Sequence, residues 1–403
     1  MNLYLVGGAV RDKLLNYPFT ENDWVVVGAT PKELLDQGFV QIGSDFPVFL
    51  HPETKEEYAL ARTERKSGNG YKGFKFFTDT QVTLEEDLSR RDLTINAIAE
   101  DCDGNIIDPY GGLNDLSDKI LRHVSNAFSE DPLRVLRVAR FAARYHHLGF
   151  KIADETLLLM TLISDSGELQ YLSTERVWTE TVKALKEKSP RIYIEVLRKC
   201  NALSKLFPEI EQLFKSSQKN SKMNAGIRTL MSLDYVAKLD KDPSTRFAVL
   251  MGNISKEYCS DDILSAGSDP KDDNVKIING FCDRLKIPNR YRSVSVALIK
   301  YRDSCHNSRN LNPPLVIKML KDIGAFKNPS NLIQFITCCH ADVQRTKKSD
   351  HKFYDSGVWL KKVFNEMQLI DNKKIMVEGF EGIRLGQEID KRRQKIIIEL
   401  SKK

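Results

Sequence analysis

Glu21-Asn22-Asp23 runs directly into the apolar stretch Trp24-Val25-Val26-Val27. Side chains alternate faces along a strand, so Glu21 and Asp23 point the same way. Two neighbouring carboxylates repel unless a cation sits between them. Magnesium answers that need, since it takes carboxylate oxygens together with substrate phosphates. Such ions activate a 3′-hydroxyl and stabilise departing pyrophosphate in an in-line displacement. E-x-D is short, and an exposed acidic turn is the other reading of it. Glu57, on a strand expected over 57–61, is a candidate third carboxylate.

Two further groups of residues suit an anionic ligand. Leu5-Val6-Gly7-Gly8 passes from a strand into a helix expected at 9–15, where small residues let backbone amides approach phosphate oxygens. Neither a Walker loop nor a Rossmann fingerprint is present, and a tight structural turn is the alternative. Arg11, one turn into that helix, can reach a triphosphate or pair with Asp12. Arg134, Arg137, Arg140 and Arg144 are spaced three, three and four apart and share one helical face, with Leu136, Val138 and Phe141 assigned to the packing face. No Asp or Glu occurs from Pro132 to Ala153, so i±4 pairing cannot neutralise the row. Another segment or a ligand must. Asp131, one turn before Arg134, either caps the helix or joins Arg134 in presenting an acceptor and a donor fork to a nucleobase edge.

The elements that position these residues fall in two blocks. Residues 1–112 alternate strand and helix signals: strands at 2–6, 24–27, 48–50 and 57–61, and a helix opened by the capping box Thr30-Pro31-Lys32-Glu33. Asp108-Pro109-Tyr110-Gly111-Gly112 is a turn cluster and a boundary. Beyond it the pattern is helical, at 116–121, 132–145, 154–163, 174–185 and 191–199, with polar loops at 215–224, 255–274 and 345–352. The 403 residues allow two to four units, and 41% apolar residues suffice for packed cores. No apolar run spans a bilayer, the start lacks a basic leader, and seven scattered cysteines suit a reducing cytoplasm. Cys305-His306 and Cys338-Cys339-His340 lack knuckle spacing and read as structural rather than zinc-binding. The net charge of +6 permits a polyanionic partner.

In order, Leu5-Val6-Gly7-Gly8-Ala9-Val10-Arg11-Asp12, Glu21-Asn22-Asp23-Trp24, Arg90-Arg91-Asp92-Leu93-Thr94-Ile95-Asn96-Ala97, Asp108-Pro109-Tyr110-Gly111-Gly112, Glu130-Asp131-Pro132-Leu133-Arg134 and Arg176-Val177-Trp178 resemble the class II tRNA nucleotidyltransferases, the CCA-adding enzymes. The segment from Tyr58 to Gly68 is most similar to their gamma-proteobacterial branch. The resemblance is dense over 1–185 and fainter beyond.

It implies an α+β protein: a polymerase-β-type head (1–112) with a mixed sheet and helices, followed by an all-helical neck (113–190), body (191–300) and tail (301–403). It implies magnesium on the catalytic Glu21 and Asp23. Gly8, Arg11 and Arg91 would contact the triphosphate or ribose. Asp131 and Arg134 would read the base edge, and Arg137 and Arg140 would complete the nucleotide pocket. The substrates implied are tRNA, CTP and ATP, with no membrane or DNA partner, in the cytoplasm. The stretch 65–73 resembles the loop that switches C to A addition. The basic end 387–403, with Lys391, Arg392, Arg393, Lys395, Lys402 and Lys403, would grip tRNA or simply be solvated.

Two positions depart from the family pattern. Glu21 stands where aspartate is common. Gly252-Asn253 stands where many relatives carry a His-Asp dyad, and no histidine lies between His147 and His306, so metal phosphohydrolase activity is not expected. Enzymes adding only CC or A, a poly(A) polymerase and a non-catalytic tRNA-binding protein are the competing readings.

Overall fold

The computed structural model describes residues 1–19, 21–42, 48–66, 74–77, 80–215, 224–254, 270–344 and 354–402. The chain divides into two compact units, 1–206 and 207–403.

The first unit begins with β1 (Asn2–Val6), α1 (Gly8–Leu14), β2 (Asp23–Val27), α2 (Pro31–Asp36), β3 (Val40–Ile42), β4 (Val48–Leu50) and β5 (Glu57–Leu60). β6 (Thr63–Lys66) and β7 (Phe74–Phe77) pair with each other as a separate ribbon. The interval 67–73, most of the stretch expected to resemble the switching loop, lies outside the described residues, as do 216–223 and 255–269 within the expected polar loops and the whole of the one at 345–352. α3 (Leu84–Ser89), β8 (Ala99–Glu100), β9 (Ile106–Ile107), α4 (Gly112–Asp118) and β10 (Ile120–Leu121) follow. The unit closes with α5 (Leu133–Tyr145), β11 (Lys151–Ile152), α6 (Asp154–Asp165), α7 (Thr174–Lys186), α8 (Pro190–Lys199) and α9 (Ala202–Leu206). The helix expected over 116–121 is not formed as such. α4 ends at Asp118, Lys119 takes a left-handed φ of 59°, and Ile120–Leu121 pairs with β11.

Seven strands form one mixed sheet in the order β3-β4-β5-β2-β1-β8-β9. Alternation along β2 sends Val25 to one buried cluster with Val6, Leu88 and Ala97, and Val26 to another with Leu34, Phe49 and Leu60. Register fixes the site. In antiparallel β1–β2 pairing Val6 lies opposite Asp23, and in parallel β2–β5 pairing Asp23 lies opposite Glu57. The glycine turn and the carboxylates therefore meet at one end of the central strands β1, β2 and β5. Thr30 and Glu33 form the expected capping box, and Thr83 with Glu86 forms a second at α3.

Glycine is required at Gly112, the first residue of α4. A Cβ there would lie 2.3 Å from the Thr94 carbonyl oxygen and 2.8 Å from Ile98 Cγ1. The first neighbour is backbone and cannot swing aside. Gly112→Ala is expected to cost about 2 kcal/mol or more, measurable as a lower urea midpoint; an unchanged midpoint would show that α4 shifts freely.

The second unit is helical throughout its described residues: α10 (Pro208–Lys215), α11 (Ala225–Leu239), α12 (Pro243–Met251), α13 (Pro270–Arg284), α14 (Asn289–His306), α15 (Pro313–Asp322), α16 (Pro329–Gln344), α17 (Asp355–Gln368), α18 (Asn372–Val377) and α19 (Gly382–Ser401). α13 starts inside the polar stretch expected to be a loop. α14 packs against α12, α13 and α16 at the centre. No described helix is long and apolar enough to cross a membrane.

Candidate active site

A cleft of about 1050 Å³ opens in the first unit. Gly8 and Arg11 reach it from α1, Glu21 and Asp23 from the start of β2, and Arg91 from the segment after α3. Asp131, Arg134, Arg137 and Arg140 reach it from the entry and face of α5. All nine residues singled out in the sequence line this one cavity. Glu57 lines it too. Glu21 precedes β2 rather than lying within it, and it lines the same cleft as Asp23.

Among the described residues the walls carry nine arginines and six carboxylates. That excess suits a polyanion such as a triphosphate. The acids also segregate. Glu21, Asp23 and Glu57 lie where the central strands β2 and β5 begin, whereas Asp87 and Asp92 are buried among arginines. Burial within the walls, reinforced by the Glu21 charge, holds the Asp23 carboxyl above its usual range despite Arg91, Arg11 and Arg137. A cation between Glu21 and Asp23 would relieve that conflict. No described group of three ligands is close enough to form a closed metal cage. Magnesium characteristically uses one or two carboxylates and completes its shell with phosphates and water, so the donor set fits that ion.

The arginines of α5 are not bare. Arg137 Nε donates to Asp92 Oδ2 at 2.7 Å, Arg140 Nε to Glu180 Oε2 at 2.6 Å, and Arg144 Nη2 to Asp12 Oδ2 at 2.9 Å. Arg134 donates to the Ala127 carbonyl at 2.7 Å and the Arg90 carbonyl at 2.5 Å. Partners for the row thus come from other segments, one of the two sources its composition left open. Asp92 is buried, yet the Arg137 charge and hydrogen bonds from Asn96 and Arg137 push its carboxyl well below the usual range. Arg11 makes a two-point contact with Asp12 at 2.9 and 3.0 Å and donates to Asn96 Oδ1. Asp131 Oδ1 caps the start of α5 by accepting from Leu133 N at 3.1 Å, and the residue also lines the cleft.

Phe141 corrects one assignment. It lines the cleft instead of facing away from it. Its ring carries the guanidiniums of Arg140, Arg11 and Arg137 at 4.2, 5.1 and 5.7 Å. The ring gathers three like charges that would otherwise spread.

Sequence reasoning also passed over Asp87, which accepts from Arg90 at 3.0 Å and Arg91 at 3.2 Å. Within Glu85-Glu86-Asp87 it looks like one more acidic residue at a helix start. Asp92 and Asn96 lie four apart in the segment from Arg90 to Ala97, and that spacing is the signal for their contact. Gly7, with φ of 69°, makes the turn into α1; a Cβ there would meet Arg91 Nη1 at 2.8 Å.

In the second unit Arg302 occupies the neighbourhood of Gly252-Asn253. Its Nη1 donates to the Gly252 carbonyl at 2.9 Å and to Asn253 Oδ1 at 3.3 Å, and it lies 3.7 Å from Asp342. Cys338 and Cys305 are buried among protein partners, Cys338 donating to the Thr245 carbonyl and Cys305 accepting from the Tyr354 hydroxyl. In α19, Arg392 pairs with Glu378 and Glu388, while Arg393 pairs with Asp390 and lies over Phe326.

The first unit combines a mixed-sheet head, which brings carboxylates and arginines to one end of its central strands, with the helices that follow. Residues 3–122 match the family described as the poly A polymerase head domain, and residues 149–214 match the one described as the probable RNA and SrmB-binding site of polymerase A. The chain therefore contains segments similar to that head domain and to that RNA-binding region. Among solved structures, a tRNA-processing enzyme in its apo form is similar at 23% identity and a TM-score of 0.62, over 98% of this chain and 93% of that one. An apo CCA-adding enzyme is similar at 20% identity and 0.65, over 98% and 86%. A Thermotoga maritima CCA-adding enzyme complexed with tRNA is similar at 19% identity and 0.62, over 99% and 90%. The fold is the one these structures share.

Proposed function

We propose that this chain is a template-independent tRNA nucleotidyltransferase of the gamma-proteobacterial type that adds and repairs the 3′-terminal CCA with CTP and ATP, releasing pyrophosphate. The observation that carries the reading is the convergence of two carboxylates and an arginine excess, drawn from separate sequence motifs, on one cleft. Glu21 and Asp23 would hold magnesium, which when bound neutralises triphosphate oxygens and makes a 3′-hydroxyl a better nucleophile. Arg91 and Arg11, beside Gly8, orient the triphosphate, with Arg137 and Arg140 completing the pocket around the nucleotide. Asp131 and Arg134 read the base edge, so protein side chains take the part of a template. The helices after residue 112 serve as neck, body and tail for tRNA, in a cytoplasmic enzyme that acts on neither DNA nor membranes. The Arg302 cluster at Gly252-Asn253 supports a body without phosphohydrolase chemistry.

A poly(A) polymerase is the second reading, favoured by the head-domain match. Primer extension separates the two. Given tRNA lacking CCA, magnesium, CTP and ATP, the protein is expected to add three nucleotides and to need both triphosphates. A long A tail would mean a polymerase. A stop after CC, or a single A on a CC end only, would mean a partial enzyme. Binding without extension would leave a tRNA-binding protein.

A further inference from the structure

We infer that Arg176 sets base selectivity by clamping the Asp131 carboxylate, a positioning role that rests on the tRNA nucleotidyltransferase reading above. Arg176 Nη2 donates to Asp131 Oδ2 at 2.8 Å, while Asp131 Oδ1 accepts from Leu133 N at 3.1 Å. Each oxygen is thus held by a different element. A carboxylate has roughly four acceptor positions, so capacity remains for a ligand after these two bonds. Both side chains line the cleft and each retains 23% exposure.

Local structure explains how Arg176 arrives there. Ser173, also in the cleft wall, caps α7 by accepting from Arg176 N at 3.3 Å. Arg176 therefore sits in the first turn of α7. That is the wrong end of a helix for a cation, where the dipole favours acids. The contact with Asp131, 45 residues away, compensates.

Arg134 adds the second half. Its guanidinium is held by the Ala127 and Arg90 carbonyls. Acceptor and donor therefore stand in the same wall, each fixed by a third party. Cytosine and adenine share an exocyclic amine, which a carboxylate accepts; uracil and guanine present a carbonyl at that place, which a carboxylate repels. The discrimination needs the carboxylate held still. Without Arg176, Asp131 can turn away and hydrate, and uracil loses its penalty.

The test compares wild type with Arg176→Gln and Arg176→Lys. It measures kcat/KM for CTP and UTP on tRNA lacking CCA, and the Kd of CTP and UTP without RNA. Arg176→Gln is expected to lower the CTP-to-UTP preference about tenfold or more, chiefly through KM, with partial recovery in Arg176→Lys. An unchanged preference would overturn the inference even if stability or rate fell, because a purely structural contact moves those alone. Should Arg176→Gln not fold, Arg176→Lys carries the test through a smaller loss of preference. If wild type extends no tRNA, the functional reading fails on that result, and the Kd ratio still decides the role of Arg176.

Discussion

Replacing Asp23 by asparagine is expected to reduce nucleotide addition by about 10³-fold or more while raising the melting temperature of the protein in EDTA. The substitution keeps the shape of the side chain and removes its charge. Loss of activity follows if Asp23 and Glu21 hold the ion that the triphosphate needs. The gain in stability follows from the cleft. Burial and the Glu21 charge raise the Asp23 carboxyl above its usual range, so the folded chain binds this proton more readily than the unfolded chain. At neutral pH the ionised group therefore opposes folding. Its unfavourable contribution fades as pH falls through the raised folded value toward the unfolded one. Magnesium should reverse the ranking by stabilising wild type and not the variant. Thermal melts of both proteins, with EDTA and with magnesium, test each half. Retained activity would remove Asp23 from the chemistry, and a lower melting temperature in EDTA would show that its charge is already satisfied.

The second large effect is on stability. Asp92→Ala is expected to cost about 3 kcal/mol, the low end for breaking a buried ion pair. Arg137 opens on the cleft and can recover some hydration, which keeps the loss from being larger. The alanine also leaves Leu93 N and Asn96 Nδ2 without the Asp92 oxygen that each uses at 2.9 and 2.7 Å. The pH dependence has the opposite sign from that at Asp23. The folded value of Asp92 is depressed, so its contribution is complete above the unfolded value of about 3.9 and disappears as pH falls through the folded one. Urea unfolding of wild type and Asp92→Ala should therefore converge on strong acidification. Adding Arg137→Met to Asp92→Ala should cost less than the two single losses combined. Strict additivity would mean that the two side chains do not act as a pair.

Local signals carried far in the sequence. Thr30-Pro31-Lys32-Glu33 specified its own helix start because a capping box needs only four consecutive residues. The residues of the cleft were legible for a similar reason: each arrives in a short motif whose composition suits anions or metal. Their partners were not. Asp92 lies 45 residues from Arg137, Glu180 lies 40 from Arg140, and Asp12 lies 132 from Arg144. No periodicity within α5 points to them. Phe141 was misassigned by residue type, although at 100° per residue it falls about 20° from Arg134. The strand Ile120–Leu121 was read as helix because two residues show no period of their own.

The carboxylates that answer the α5 arginines have a consequence for how this protein can be altered. Asp12 and Asp92 belong to segments before residue 113, and Arg144 and Arg137 to the helix after it. Each half carries one side of a two-part lock. A head exchanged with that of another chain brings its own acids, and an exchanged helix brings its own bases. A hybrid that separates Asp92 from Arg137 or Asp12 from Arg144 leaves charges stranded on both sides of the join. Inheritance and engineering alike must therefore move these segments together, as one cartridge, or rewrite both faces at once.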